Sequence, residues 1–171
     1  IDLADLPPRI RPEMDAALAK ILDHGQYIMG PEVAALEADL ATFSGNKHVI
    51  SCSSGTDALM LALMAYELKP RQAVIVPSFT FAASAEVLPC LGAVPIFADI
   101  DPESFNLDPN GLDAAKAAAD KAGFECVGII SVGLFGQPAD YDEIKAFADA
   151  HGMWLLDDAA QSHGTSRKGR T

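Results

Sequence analysis

An α/β fold is predicted, a mostly parallel sheet with helices on both faces, and two observations predict it. Beyond Gly45, short β-branched runs recur without strict polar alternation. Strands of that kind are buried on both sides, as in parallel sheets. Stretches of helical spacing separate the runs, and a repeating strand-helix order implies right-handed crossovers and an open, doubly wound sheet.

The elements follow in order. After the Pro-rich lead-in IDLADLPPRI, residues Met14, Leu18, Ile21 and Leu22 fall at helical spacing and predict an amphipathic helix over 12–22, ending at His24-Gly25. Pro31 opens a second helix through Val33, Leu36, Leu40 and Phe43, with Gly45 just past its end. Between the two, GQYIMG is a loop richer in apolar side chains than solvent favours. Strands are predicted at HVISC from His48, AVIVPS from Ala73, VPIFADI from Val94, VGIISVG from Val127 and MWLLDD from Met153. Helices fit at 57–68, 81–91, 110–122 and 141–151.

The 171 residues are half hydrophobic, enough for one core, and predict one domain or one piece of a larger one, with no internal boundary or repeat. With 24 acids against 12 bases the net charge is −12, which argues against nucleic-acid binding, since phosphate contacts need clustered Lys and Arg. The basic residues cluster only at Arg167, Lys168 and Arg170. Cys52, Cys90 and Cys126 are odd in number, widely spaced and set in apolar runs, so they read as reduced core thiols, with neither disulfides nor a metal site. No apolar run reaches the roughly 18 residues of a membrane span, and the start carries no secretory signal pattern. A cytoplasmic protein that meets no membrane is expected.

In doubly wound sheets ligands sit beyond the carboxyl ends of the strands, and three segments there carry candidate chemistry. In SCSSGTDALMLALMAY, the first amides of a helix, the Ser54 and Thr56 hydroxyls and the open approach at Gly55 would cradle an anion or phosphate. A Ser/Thr-capped helix with no ligand is the commoner explanation of such spacing. In PSFTFAASAEV, Thr80 and Phe81 stand at a strand-to-helix junction, where an aromatic either covers a flat ligand ring or fills the core. MWLLDDAAQSHG ends a strand in Asp157 and Asp158, followed by Gln161 and His163. A carboxylate at this edge needs a cationic or hydrogen-bonding partner, and a protonated ring nitrogen would serve Asp158. Asp157 reads as a turn or helix cap; His163 could act as a base, though a lone His after a Gln more often makes a structural hydrogen bond. SVGLFGQPADYDEI reads first as a structural turn, with Asp140 and Glu143 forming a capping box for the next helix, and second as a substrate contact.

Taken in this order, the segments GQYIMGPEVAALEADLA, SSGTDALMLAL, VPSFTFAASAEV, LGAVPIFADIDPESFNLDP, ISVGLFGQPADYDEI and LLDDAAQSHGTSRKGR resemble the DegT/DnrJ/EryC1/StrS family of sugar aminotransferases. The resemblance implies the fold-type I large domain and pyridoxal 5'-phosphate as cofactor. It implies that Gly55 and Thr56 hold the phosphate, that Phe81 stacks on the pyridine ring, that Asp158 pairs with its nitrogen, and that Gln161 bonds its phenolic oxygen. Tyr27 and Met29, in GQYIMG, become candidate contacts of the sugar nucleotide, with plugging between helices or across a dimer seam as the alternative. A homodimer with shared active sites is implied as well. The departures are few: Asp157 stands where Glu is commoner, LFGQ replaces a frequent LYGQ, and KPRQAVIVPS lacks a usual Gly-Asp-Glu.

The resemblance also places the Schiff-base lysine downstream of DAAQ, beyond Thr171; Lys168, in HGTSRKGR, corresponds to a turn and a solvated loop and is rejected as catalytic. Residues 1–171 are thus expected to be the N-terminal part of the large domain, without its remainder or the small C-terminal domain. The implied reaction is transamination from L-glutamate, which leaves as 2-oxoglutarate, to a keto group on a nucleotide-linked sugar. The finer likeness is to the branch acting on UDP-linked 3-keto-2-acetamido glucuronic acid for bacterial surface polysaccharide. Two rivals are a dehydratase, in which His replaces the lysine, and a noncatalytic binding or regulatory protein on the same scaffold.

Overall fold

A computed structural model describes residues 10–169, so the lead-in before Ile10 and Arg170 of the basic cluster lie outside the described residues. The chain divides into an N-terminal unit ending at Ser51 and a larger unit beginning at Cys52, a division the sequence did not predict.

The first unit holds α1 (Arg11–His24) and α2 (Pro31–Ser44). Both carry Pro in the first turn and a left-handed Gly just past the end, Gly25 and Gly45, as the sequence predicts. The apolar stripe of α1 is present but uncovered: no α1 residue is buried, and Met14, Leu18 and Leu22 are exposed. The predicted strand at His48 does not form. A strand needs a hydrogen-bonded neighbour, and no strand among the described residues pairs with this run. Instead the backbone N–H and hydroxyl of Ser51 both donate to the Glu37 carboxylate at 2.8 Å, and hold it below the usual carboxylate range.

The larger unit runs α3 (Gly55–Ala65), β1 (Gln72–Pro77), α4 (Ala83–Cys90), β2 (Val94–Ala98), a 3-10 turn at Pro109–Gly111, α5 (Leu112–Lys121), β3 (Glu125–Val132), α6 (Tyr141–Ala150) and β4 (Trp154–Asp158). All strands are parallel, in the order β2-β1-β3-β4. Successive side chains point to opposite faces, and the packing follows that alternation. Val74, Val76 and Ile130 meet Leu59 and Leu63 of α3 and Val87 and Leu88 of α4. Ile75 and Ile129 meet Leu112 and Ala115 of α5 and Ile144 and Ala148 of α6. Burying each such Val, Leu or Ile contributes roughly 1.5–3 kcal/mol.

The cysteines are only partly where apolar context predicts. Cys126 is half-buried, and burial pushes its thiol up, but Cys52 and Cys90 are exposed. Cys52 lies on irregular chain before α3 and Cys90 at the last residue of α4, outside both packed clusters. The described helices include none long and apolar enough to cross a membrane.

The strand order reverses between β1 and β3, so the switch point lies at the carboxyl ends of the central strands.

Candidate active site

β4 delivers Asp157 and Asp158 at its carboxyl end, and the pleat turns them to opposite faces. Asp158 faces α4: its Oδ2 accepts a 2.8 Å hydrogen bond from the hydroxyl of Ser84, which is fully buried. Its Oδ1 accepts from the Ala160 N–H at 3.2 Å. Ser84 Oγ also lies 3.0 Å from Thr80 Oγ1, in the loop after β1. The sequence singled out Thr80 and Asp158 but missed Ser84, whose one signal is its place four residues after Thr80.

Asp157 takes the other face and is not the cap predicted for it. Its Oδ1 accepts from Tyr141 Oη at 2.8 Å, with Ser131 Oγ at 3.5 Å. Burial and the neighbouring Asp158 charge push its carboxyl up despite an exposed edge, and burial with the Asp157 charge pushes the Tyr141 phenol up.

The N-terminus of α3 and the end of β4 border one cleft, a cavity of about 230 Å³ lined by Gly55, Ala58 and Leu59 on one side and Leu156, Asp157 and Asp158 on the other. The Ser54 hydroxyl caps α3 by accepting the Asp57 N–H at 3.1 Å. The Gly55 and Thr56 amides therefore remain as first-turn donors without an intrahelical acceptor. A Cβ built on Gly55 would meet nothing within 4 Å, so space is open beside them. Asp57 is the one acid in this turn, and its carboxylate is tied to Ser53 and Ser54, whose hydroxyls lower its pKa. A group that is anionic at one end and protonated on a ring nitrogen at the other matches this pairing of donors and carboxylate. Pyridoxal phosphate has both features, so the residues present fit it.

Of the residues expected at the cofactor, Gly55 and Asp158 line the cavity, while Thr56, Phe81 and Gln161 do not. Phe81 precedes α4, which begins at Ala83 rather than at 81, and the residue is 74% exposed. Gln161 Oε1 accepts the Phe135 N–H at 2.7 Å, an arrangement that turns the amide and presents its NH2 as donor. The loop supplying that N–H follows β3 and has left-handed backbone at Phe135, φ 55°. The buried Asn106 clasps it, accepting from the Leu134 N–H at 2.9 Å and donating to the Gln137 carbonyl at 3.0 Å. Asn106 gave no sequence signal. Tyr27 and Met29 belong to the N-terminal unit, where both are exposed and Met29 has φ 49°.

The capping box before α6 is absent. Asp140 makes no side-chain cap and pairs instead with Arg167, which also donates to the Ala139 carbonyl at 2.9 Å. Arg167 is thus half-buried rather than solvated. Lys168 Nζ sits 2.6 Å from Asp142, on the α6 side. His163 is exposed, and its backbone N–H bonds the Ala159 carbonyl.

The sequence profile of the DegT/DnrJ/EryC1/StrS aminotransferase family matches residues 8–171. The UDP-2-acetamido-2-deoxy-3-oxo-D-glucuronate aminotransferase of Pseudomonas aeruginosa is 48% identical over 170 residues, 99% of this chain and 46% of that protein. A DegT/DnrJ/EryC1/StrS aminotransferase from Brucella abortus has a similar structure, with TM-score 0.91 and 48% identity over 95% of this chain and 44% of that one. NtdA from Bacillus subtilis, solved with bound cofactor PMP, gives TM-score 0.87 and 30% identity over 96% of this chain and 36% of that one. The chain spans less than half the length of these relatives.

Proposed function

The chain belongs to the DegT/DnrJ/EryC1/StrS aminotransferase family, and from that premise we propose that it forms the cofactor-binding part of a pyridoxal-phosphate enzyme. The enzyme transfers an amino group from L-glutamate to a UDP-linked 2-acetamido-3-keto glucuronic acid for bacterial surface polysaccharide. One observation carries the cofactor site: Gly55, in the first turn of α3, and Asp158, at the end of β4, line the same cleft. The 48% identity to the Pseudomonas enzyme supports the sugar.

When bound, the cofactor supplies an electron sink, its protonated pyridine ring, for the electron pair left as a proton departs from the amino acid's Cα. The residues of this chain do the holding. Gly55 and Thr56 bind the phosphate with backbone N–H groups at a helix N-terminus, where the dipole favours an anion. Asp158 keeps the ring nitrogen protonated, because a nearby carboxylate favours the charged form. Phe81, exposed and outside the cavity lining, would cover a face of the bound ring and so leave water. The Gln161 amide, fixed by Phe135, donates to the phenolic oxygen. Tyr27 and Met29 are proposed contacts of the sugar nucleotide, in a cytoplasmic homodimer whose two active sites share residues.

The test is an absorbance spectrum of the full-length protein with pyridoxal phosphate, before and after L-glutamate, followed by borohydride trapping. The proposal expects a visible band that glutamate converts to a near-ultraviolet one, and a lysine trapped downstream of Thr171. A histidine at that position, with a spectrum that glutamate changes only slowly, would favour sugar dehydration. Failure to bind the cofactor would leave a noncatalytic role.

A further inference from the structure

We propose that Ser84 is a positioning residue for Asp158 and that Thr80 completes a one-way hydrogen-bond relay from Thr80 through Ser84 to Asp158. The proposal rests on the cofactor reading above, in which Asp158 faces the pyridine nitrogen. Ser84 Oγ is 2.8 Å from Asp158 Oδ2 and 3.0 Å from Thr80 Oγ1, and Ser84 is fully buried. An ionised carboxylate has no proton to give, so the single hydroxyl proton of Ser84 goes to Oδ2. Ser84 is then left only as an acceptor toward Thr80, and the Thr80 proton must point at Ser84. The charge at one end sets the direction of the whole chain, and each bond polarises the next.

Two consequences follow for Asp158. The terminal torsion of an aspartate is soft, yet here one oxygen is held from α4 and the other by the Ala160 N–H at 3.2 Å. The carboxylate plane is therefore fixed while each oxygen keeps acceptor capacity for the cleft that Asp158 lines. Hydrogen bonds donated to a carboxylate favour its ionised form. With the cofactor bound, a carboxylate so held would accept the ring nitrogen's N–H as a charge-assisted hydrogen bond. Neither hydroxyl touches the reacting atoms; both act through Asp158.

The test uses the full-length protein loaded with pyridoxamine phosphate carrying 15N in the pyridine ring, because that nitrogen's chemical shift reads its protonation without turnover. In Ser84→Ala the proton partition should move away from the nitrogen by roughly tenfold, the low end for a lost hydrogen bond to a charged group. Ser84→Thr, which keeps the hydroxyl, should retain the wild-type shift, and Thr80→Val should fall between. Should Ser84→Ala fail to fold, Thr80→Val carries the same comparison from a less buried position. Wild-type shifts in Ser84→Ala and Thr80→Val, beside a displaced shift in Asp158→Ala, would overturn the relay and leave the cofactor reading intact. An unchanged shift in Asp158→Ala would overturn that reading and the relay with it.

Discussion

The side chain of Asn106 accepts the backbone N–H of Leu134 at 2.9 Å, 28 residues along the chain, and both residues are buried. Through it the loop after β2 fixes the loop after β3, whose Phe135 N–H holds Gln161. Asn106→Ala leaves the Leu134 N–H without its acceptor inside the protein. That should cost about 1–3 kcal/mol, seen as a lower midpoint in urea, and should weaken cofactor binding through Gln161. Gln161→Ala should reproduce the binding defect with little loss of stability.

Gly128 sits beside Trp154 in the β3–β4 register, and the indole occupies the space a Cβ would need. That indole also stacks on Tyr66, with centroids 4.5 Å apart. Gly128→Ala should therefore displace the pair and destabilise the protein by roughly 1–3 kcal/mol, the usual range for overpacking. Thermal melting monitored by tryptophan fluorescence would read both effects.

Gly55 is the converse case. Its Cβ would meet no protein atom, and it stands in the first turn of a helix, where Ala loses less entropy on folding than Gly. Gly55→Ala should leave stability unchanged or raise it by up to about 1 kcal/mol. The same methyl would intrude on the phosphate cradle, so cofactor affinity should fall roughly tenfold, near 1.4 kcal/mol. Calorimetry for stability and fluorescence titration with pyridoxal phosphate would separate the two.

Asp157 gives a pH dependence with a definite sign. Burial, with the Asp158 charge, raises its folded-state pKa above the ordinary 3.8, so the folded protein binds that proton more tightly than the unfolded chain. The group's contribution to stability is fully present below 3.8 and is lost as pH rises through the raised value. Asp157→Asn keeps an acceptor for Tyr141 and has no proton to lose. It should be more stable than wild type at neutral pH, and the difference should shrink as pH falls toward 3.8. Paired urea unfolding curves across that window check it.

The parts of this fold that local pattern decides were legible in the sequence. Runs such as AVIVPS and VGIISVG became buried parallel strands because apolar continuity is what two covered faces require. The similar run at His48 did not, because pairing needs a neighbour that no local pattern reveals. Asp158 was legible as a carboxylate at a strand end. Ser84 was not, since a serine among small residues in AASAEV reads as neutral and its partner lies 74 residues away. The Asp140 capping box failed for a related reason: Arg167, distant in sequence, takes the carboxylate that local spacing assigned to the helix.

The central claim is that one cleft binds the cofactor phosphate at Gly55 and Thr56 and its ring nitrogen at Asp158. A crystal structure of the full-length protein with pyridoxamine phosphate tests it most directly. The account predicts phosphate oxygens within about 2.7–3.2 Å of the Gly55 and Thr56 amides and the ring nitrogen within hydrogen-bond distance of the Asp158 carboxylate. A cofactor seated elsewhere, or a ring nitrogen that faces no carboxylate, would contradict it.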